Sequence, residues 1–233
     1  MIKSHHTIQL PEGGMTTPHR LLARAEAQIH QNLFTMTNKA HQSVEQAMEA
    51  LKTQNAELAQ TVVNEDLQQN HLMRIIEKEC LQILATLEPK AGDLREVVAS
   101  LQISTELERI SDHAKDIANI VLGMDPSDFS GPMDRLAAIG DLCQTMLVQV
   151  MEAYENLDVK LAEHVALHDQ RVDELDEEAS SSLMMTLMNS ADTSMHCTHL
   201  LWIAYHLERI GDRITNIAER VTFMVTAETP ELG

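Results

Sequence analysis

From about residue 17 to about residue 227, the apolar residues of this chain recur at spacings of three and four, the period of amphipathic helices. Read that way, the pattern predicts helices over about 17–52, 56–87, 92–123, 132–160, 161–188 and 194–227. Thr17 followed by Pro18 is a good helix start, a capping hydroxyl ahead of a proline in the first turn. Pro89 and Gly92 mark a turn. The run Asn189-Ser190-Ala191-Asp192-Thr193-Ser194 marks another, with Thr193 or Ser194 as N-cap. The boundary between the fourth and fifth helices carries no strong breaker. Residues 1–15, with Pro11 and Gly13-Gly14, read as a loose arm, and the breaker-rich run Asp125-Pro126-Ser127-Asp128-Phe129-Ser130-Gly131-Pro132 reads as a linker.

The pattern then repeats. Glu106–Val121 (ELERISDHAKDIANIV) and His206–Val221 (HLERIGDRITNIAERV) share eight of sixteen residues without a gap, at an offset of 100. A repeat of that length is a duplicated domain. The expected fold is all-α: two tandem three-helix bundles, six helices in all, related by a pseudo-twofold internal repeat. The expected organisation is an arm at 1–15, a first repeat at 16–124, a linker at 125–132 and a second repeat at 133–228.

On a helical wheel at about 100° per residue, Leu107, Ile110, Ala114, Ile117 and Val121 form one apolar stripe of the third helix. Glu108, Asp112 and Asn119 fall nearly opposite, with Asp116 beside them. The sixth helix repeats this: Ile203, Leu207, Ile210, Ile214, Ile217 and Val221 form the stripe, and Glu208, Asp212 and Glu219 lie opposite, with Asn216 beside them. The preceding helices carry polar pairs at i, i+4: Asp66 and Asn70, then Asp169 and Asp173. In an antiparallel hairpin, residues symmetric about the turn lie level. Asp66 and Asp112, like Asn70 and Glu108, are symmetric about Pro89. Asp169 and Asp212, like Asp173 and Glu208, are symmetric about the Ser190–Ala191 break. Each repeat therefore sets oxygen ligands of two helices at one level. Such a set suits hard cations such as Mg, Ca or Mn, and carboxylate clusters also hold iron. The plainer reading, a solvated acidic face with Arg109 and Arg209 as surface partners, stays open beside it.

Composition narrows the class. Acids outnumber bases 36 to 17, for a formal charge of −19, which repels nucleic acids and anionic lipid surfaces. Gly (8) and Pro (6) are scarce, which fits long helices and few turns. No apolar run is long enough to span a membrane, and the first residues lack the apolar core of a secretory signal. The cytoplasm is expected. Cys80, Cys143 and Cys197 read as free, packed thiols. His196 and His199 flank Cys197 and read as surface or cap-adjacent residues rather than a zinc site. The Met-rich run Ser182–Met188 reads as core filler. No HExxH or ExxH motif and no nucleotide-binding glycine loop occurs.

Two segments carry a family likeness. Glu108-Arg109-Ile110-Ser111-Asp112-His113-Ala114 and Glu208-Arg209-Ile210-Gly211-Asp212-Arg213, the latter followed by Asn216-Ile217-Ala218-Glu219, resemble the twin signature of the PhoU family. Cys80–Ala85 and Asp93-Leu94-Arg95 resemble the segments that lead into the first signature, and the likeness covers roughly 18–227. The resemblance implies two similar three-helix bundles and multinuclear metal sites, iron or zinc clusters among the candidates. It places their ligands on Asp66, Glu108, Asp112, Asp169, Asp173, Glu208 and Asp212. Asn70 and Asn119 thin the charge of the first site, and Ser111 replaces the glycine found at 211.

The implied role is a negative regulator of phosphate uptake and phosphate-starvation signalling. It is an adaptor between the ATPase subunit of a phosphate ABC transporter and a sensor histidine kinase, not an enzyme. A homodimer, with no nucleic-acid partner and no membrane insertion, is the expected form. A metal-dependent enzyme such as a phosphohydrolase, a metal-handling protein and a plain helical interaction protein are the alternatives.

Overall fold

A computed structural model describes residues 17–125, 133–189 and 194–232. The expected arm at 1–15, the core of the expected linker and the turn at 190–193 lie outside the described residues. The helices are α1 (Thr17–Thr53), α2 (Ala56–Thr86), α3 (Gly92–Gly123), α4 (Met133–Asn156), α5 (Val159–Leu167), α6 (Asp169–Asn189) and α7 (Ser194–Thr226). No strand occurs among the described residues. The first three helices pack on one another, as do α4, the α5–α6 pair and α7, so each half is a three-helix unit. The halves meet chiefly where α3 packs on α7, with α1 against α4.

The two apolar stripes are the core of the molecule. Leu107, Ile110, Ala114 and Ile117 are fully buried on α3, as are Ile203, Leu207, Ile214, Ile217 and Val221 on α7. Each large aliphatic side chain so buried contributes about 1.5–3 kcal/mol. Tyr154 of α4 is buried between the halves. Its hydroxyl pairs with Ser100 Oγ of α3 at 2.9 Å, and its ring meets His30 and Phe34 of α1 edge-on.

The fourth and fifth helices differ from the expectation. The chain turns at Leu157 (φ 54°) rather than near residue 160, and Asp158 caps α5 by accepting the Leu161 N–H at 3.1 Å. The first repeat turns the same way: Gln54 has φ 55°, and Asn55 accepts the Leu58 N–H at 3.1 Å. A single Asx cap after a residue of positive φ does the work expected of a glycine or proline cluster. The predicted fifth helix is also interrupted at His168, which caps α5 through its backbone N–H. The His168 carbonyl then accepts from Arg171 and Val172 and so starts α6. With α5 and α6 counted as one broken helix, the three-helix plan of each repeat holds.

The Met-rich run is a further correction. Met184, Met185 and Met188 are exposed, and within that run Leu183 is the fully buried apolar side chain. Leu183 and Leu187, four residues apart, turn toward the core, which leaves Met184, Met185 and Met188 on the outward face of α6.

Candidate metal centre

In the first repeat, α2 and α3 bring Asp66, Asn70, Glu108 and Asp112 together. Asp66 is buried, at 8% exposure. Its Oδ2 accepts from Asn70 Nδ2 at 3.4 Å and from Lys115 Nζ at 3.0 Å. The same ammonium donates to Asp112 Oδ1. Burial works against the charge of Lys115, but its bonds to Asp112 and Asp66 win and raise its pKa. Glu108 is pushed above the usual carboxylate range, first by burial and then by Asp112 and Asp66, with Lys115 and Arg109 opposing. Lys115 thus stands where a cation bridging α2 and α3 belongs.

The second repeat is built on the same plan without that lysine. Asp169 is the first residue of α6, where the helix dipole favours a carboxylate. It is buried at 8% exposure. Its carboxyl is raised to about 6, first by burial and then by repulsion from Asp173, Asp212 and Glu208. Thr215, which occupies the place of Lys115 at the repeat offset, opposes that shift through its hydroxyl. The pair nevertheless falls short of hydrogen-bond geometry: Asp169 Oδ1 and Thr215 Oγ1 are both buried without a hydrogen-bond partner.

Glu208 is raised by burial and by Asp212 and Asp176, against the hydrogen bond from Arg209. Asp176 is raised by burial and by Asp173, and its Oδ1 is also buried without a partner. Arg209 binds Glu208 and reaches Asp212 at 2.9 Å, with its guanidinium 5.4 Å from the Tyr205 ring. Arg209 therefore meets Glu208 and Asp212 and opposes the shift of Asp176.

Backbone proximity closes the second cluster. A Cβ on Gly211 would stand 2.9 Å from Asp169 Oδ1 and 3.2 Å from Val172 Cγ1. The glycine lets α6 approach α7 and lays the Asp169 carboxylate against it. In the first repeat that place holds Ser111, whose Oγ accepts from Gln69 Nε2 at 2.7 Å. Gln69 also donates to Met36 O at 3.1 Å. The first cluster leaves Asp66 Oδ1 buried without a partner but places a lysine against the same carboxylate, whereas the second leaves Asp169 Oδ1 and Asp176 Oδ1 unmatched and has Thr215 at the lysine's place. Those orphaned oxygens of α6, with the Glu208 and Asp212 carboxylates of α7 beside them, fit a hard or borderline cation.

The remaining sequence candidates lie elsewhere. Glu219 pairs with Arg220 at 3.3 Å and accepts the Leu232 N–H at 3.1 Å, in a cleft shared with Gln102, Thr105 and Glu106. It anchors the C-terminal segment and is not part of the carboxylate cluster. Asn119 is exposed, and Asn216 turns toward Glu106 at 3.2 Å. His196 and Cys197 lie in the first turn of α7, cap-adjacent as expected but buried rather than on the surface, and no three-ligand group forms around them among the described residues. Cys80, Cys143 and Cys197 are all buried and unbridged, and burial pushes the Cys80 and Cys143 thiols up to about 12.

The PhoU domain model matches this chain twice, over residues 33–121 and 136–221. The chain belongs to the PhoU family. A phosphate-specific transport system accessory protein PhoU homolog of Zymomonas mobilis is 38% identical over 181 residues, covering 78% of this chain and 76% of that protein. The homolog of the same description from Caulobacter vibrioides is 35% identical over 215 residues, covering 91% and 94%. Among solved structures, PhoU from Pseudomonas aeruginosa superposes with a TM-score of 0.85 at 30% identity, covering 89% of this chain and all of that one. The phosphate transport system regulatory protein PhoU of Streptococcus pneumoniae gives 0.84 at 26% identity, covering 90% and 99%.

Within this PhoU chain, sequence periodicity found the acids but missed the residues that separate the two clusters. Lys115 and Thr215 are not acidic and so fall outside a search for ligands, although each lies three residues past its Asp. Asp176 was legible: it continues the Asp169 and Asp173 series by one turn, three residues on.

Proposed function

We propose that this chain is a cytoplasmic accessory regulator of phosphate uptake. It links the ATPase subunit of a phosphate transporter to a sensor histidine kinase and damps starvation signalling when phosphate is plentiful. One observation carries the reading: the chain, with its two PhoU domains, aligns over 91% of its length with a protein described as an accessory protein of a phosphate-specific transport system. Consistent with that role, no described helix is long and apolar enough to cross a membrane. The regulatory surface works as a homodimer and does no chemistry of its own. Deleting the gene should derepress phosphate-uptake genes in phosphate-rich medium; unchanged expression would sink the reading. Steady turnover of simple phosphoesters by the purified chain would favour an enzyme instead, and a monomer by light scattering would remove the dimer.

The same reading includes a metal ion, iron, zinc or a harder divalent ion, on the second repeat. Asp169, Asp173, Glu208 and Asp212 hold it, with Asp176 within reach. The ion supplies the positive charge that the cluster lacks and ties α6 to α7. Asp66, Asn70, Glu108 and Asp112 bind more weakly, because Lys115 already neutralises them. Elemental analysis of the purified chain and of its Asp169→Asn/Asp212→Asn variant tests this, and equal metal content in the two would remove the assignment.

A further inference from the structure

A second kind of cluster lies between the repeats. His113 and Asp116 sit on α3 and His206 on α7, and one ligand atom from each lies within 4.8 Å of the others. The two imidazoles face each other through their Nδ1 atoms at 3.1 Å, and Asp116 Oδ2 stands 3.9 Å from His206 Nδ1. This is not a stray contact. At the repeat offset, Glu106 corresponds to His206, His113 to Arg213 and Asp116 to Asn216. Glu106 in turn meets Arg213 at 3.5 Å and Asn216 at 3.2 Å. The α3–α7 interface therefore holds two pseudo-symmetric trios. One is an ion pair. The other replaces the ion pair with two imidazoles and a carboxylate.

We propose that His113, His206 and Asp116 form a mononuclear site for a divalent transition ion that clamps the two repeats together, separate from the carboxylate clusters. The donor set suits the metal: two imidazoles and one carboxylate, with the fourth position left open, is a recurrent arrangement for zinc and ferrous iron. Ligands about 2.0–2.1 Å from a tetrahedral ion lie about 3.3 Å apart. The observed imidazole spacing is already close to that, and a rotation of Asp116, whose side chain is 47% exposed, supplies the third ligand. Binding needs both Nδ1 lone pairs, so the proton shared between the rings moves to Nε2. Arg213, the neighbouring cation, is paired with Glu106.

The chain's single tryptophan reports on this site. Trp202 is 6.5 Å from His206, centroid to centroid. Chelator-stripped full-length protein should be titrated with Co(II), following visible absorption and Trp202 fluorescence. A single equivalent is expected to give the intense bands of a four-coordinate ion and to quench Trp202. The same response is expected in Asp169→Asn/Asp212→Asn, which separates this site from the carboxylate centre. His113→Asn/His206→Asn should lose both signals while its far-ultraviolet circular dichroism is kept. Asp116→Asn, on a half-exposed side chain, should bind at least about tenfold more weakly even if the double histidine variant fails to fold. Absent bands in the wild type, bands lost in Asp169→Asn/Asp212→Asn, or unchanged affinity in Asp116→Asn would each overturn the site.

Discussion

The ammonium of Lys115 lies 3.0 Å from Asp66 Oδ2 and bonds Asp112 as well, closing the acidic cluster of the first repeat with a charge from the chain itself. At the matching place the second repeat has Thr215, and its cluster keeps buried oxygens without partners. The lysine adds to Asn70 and Ser111 in setting the first site apart from the Asp173 and Gly211 of the second.

Exchanging that side chain should transfer the property. Lys115→Thr is expected to raise the divalent metal content of the purified protein, because Asp66, Glu108 and Asp112 lose their counter-charge. Without metal the variant should lose about 1–2 kcal/mol of stability, since a buried carboxylate is left short of a partner. Urea unfolding with and without chelator, beside elemental analysis, checks both halves.

Gly211→Ala sets two effects against each other. Alanine within a helix is favoured over glycine by about 1 kcal/mol. The added Cβ, however, stands 2.9 Å from Asp169 Oδ1, and the carboxylate must move. Net stability should change by less than about 1 kcal/mol. Metal affinity at the second repeat should fall about tenfold, because a misplaced ligand weakens a site more than it weakens a fold. Calorimetric titration beside thermal unfolding separates the two.

Glu26 on α1 supplies a pH test remote from the carboxylate clusters. Burial, then Glu96 and Asp93, raise its carboxyl to about 7 from 4.5, with His30 opposing. The folded chain holds this proton more tightly than the unfolded chain does. Its contribution to stability is therefore complete below about pH 4.5 and is lost as pH rises through about 7. Melting temperatures across that window should fall less steeply with pH in Glu26→Gln than in the wild type.

Tyr154→Phe tests the contact between the halves. The phenol bonds Ser100 across 2.9 Å, and its removal leaves a buried hydroxyl without its partner. The expected cost is about 1–2 kcal/mol in urea unfolding, with the secondary structure unchanged.

Much of the fold was legible because helix periodicity is local. The stripes through Leu107 and Leu207 are the buried faces of α3 and α7, and symmetry about Pro89 set Asp66 level with Asp112. The break after Asn156 was not legible, because a lone Asp158 cap after Leu157 leaves no glycine or proline mark. The split at His168 was hidden for the same reason. The exposed methionines were misread because composition cannot tell a gap-filling side chain from one on the outward face of a packed helix, where Leu183 and Leu187 take the inward one.

The sequence by itself determined the helices, their duplication and the acidic rows, since each follows from spacings of three and four along one chain segment. Tertiary structure alone decided which of those groups meet. That Lys115 reaches Asp66, that Asp169 lies against Gly211 and that His113 faces His206 depends on how helices remote in sequence are rotated and pressed together. Periodicity specifies the face a residue occupies. Only packing sets the few ångströms between one face and the next, and at that scale a lysine, a threonine or an imidazole changes what a site holds.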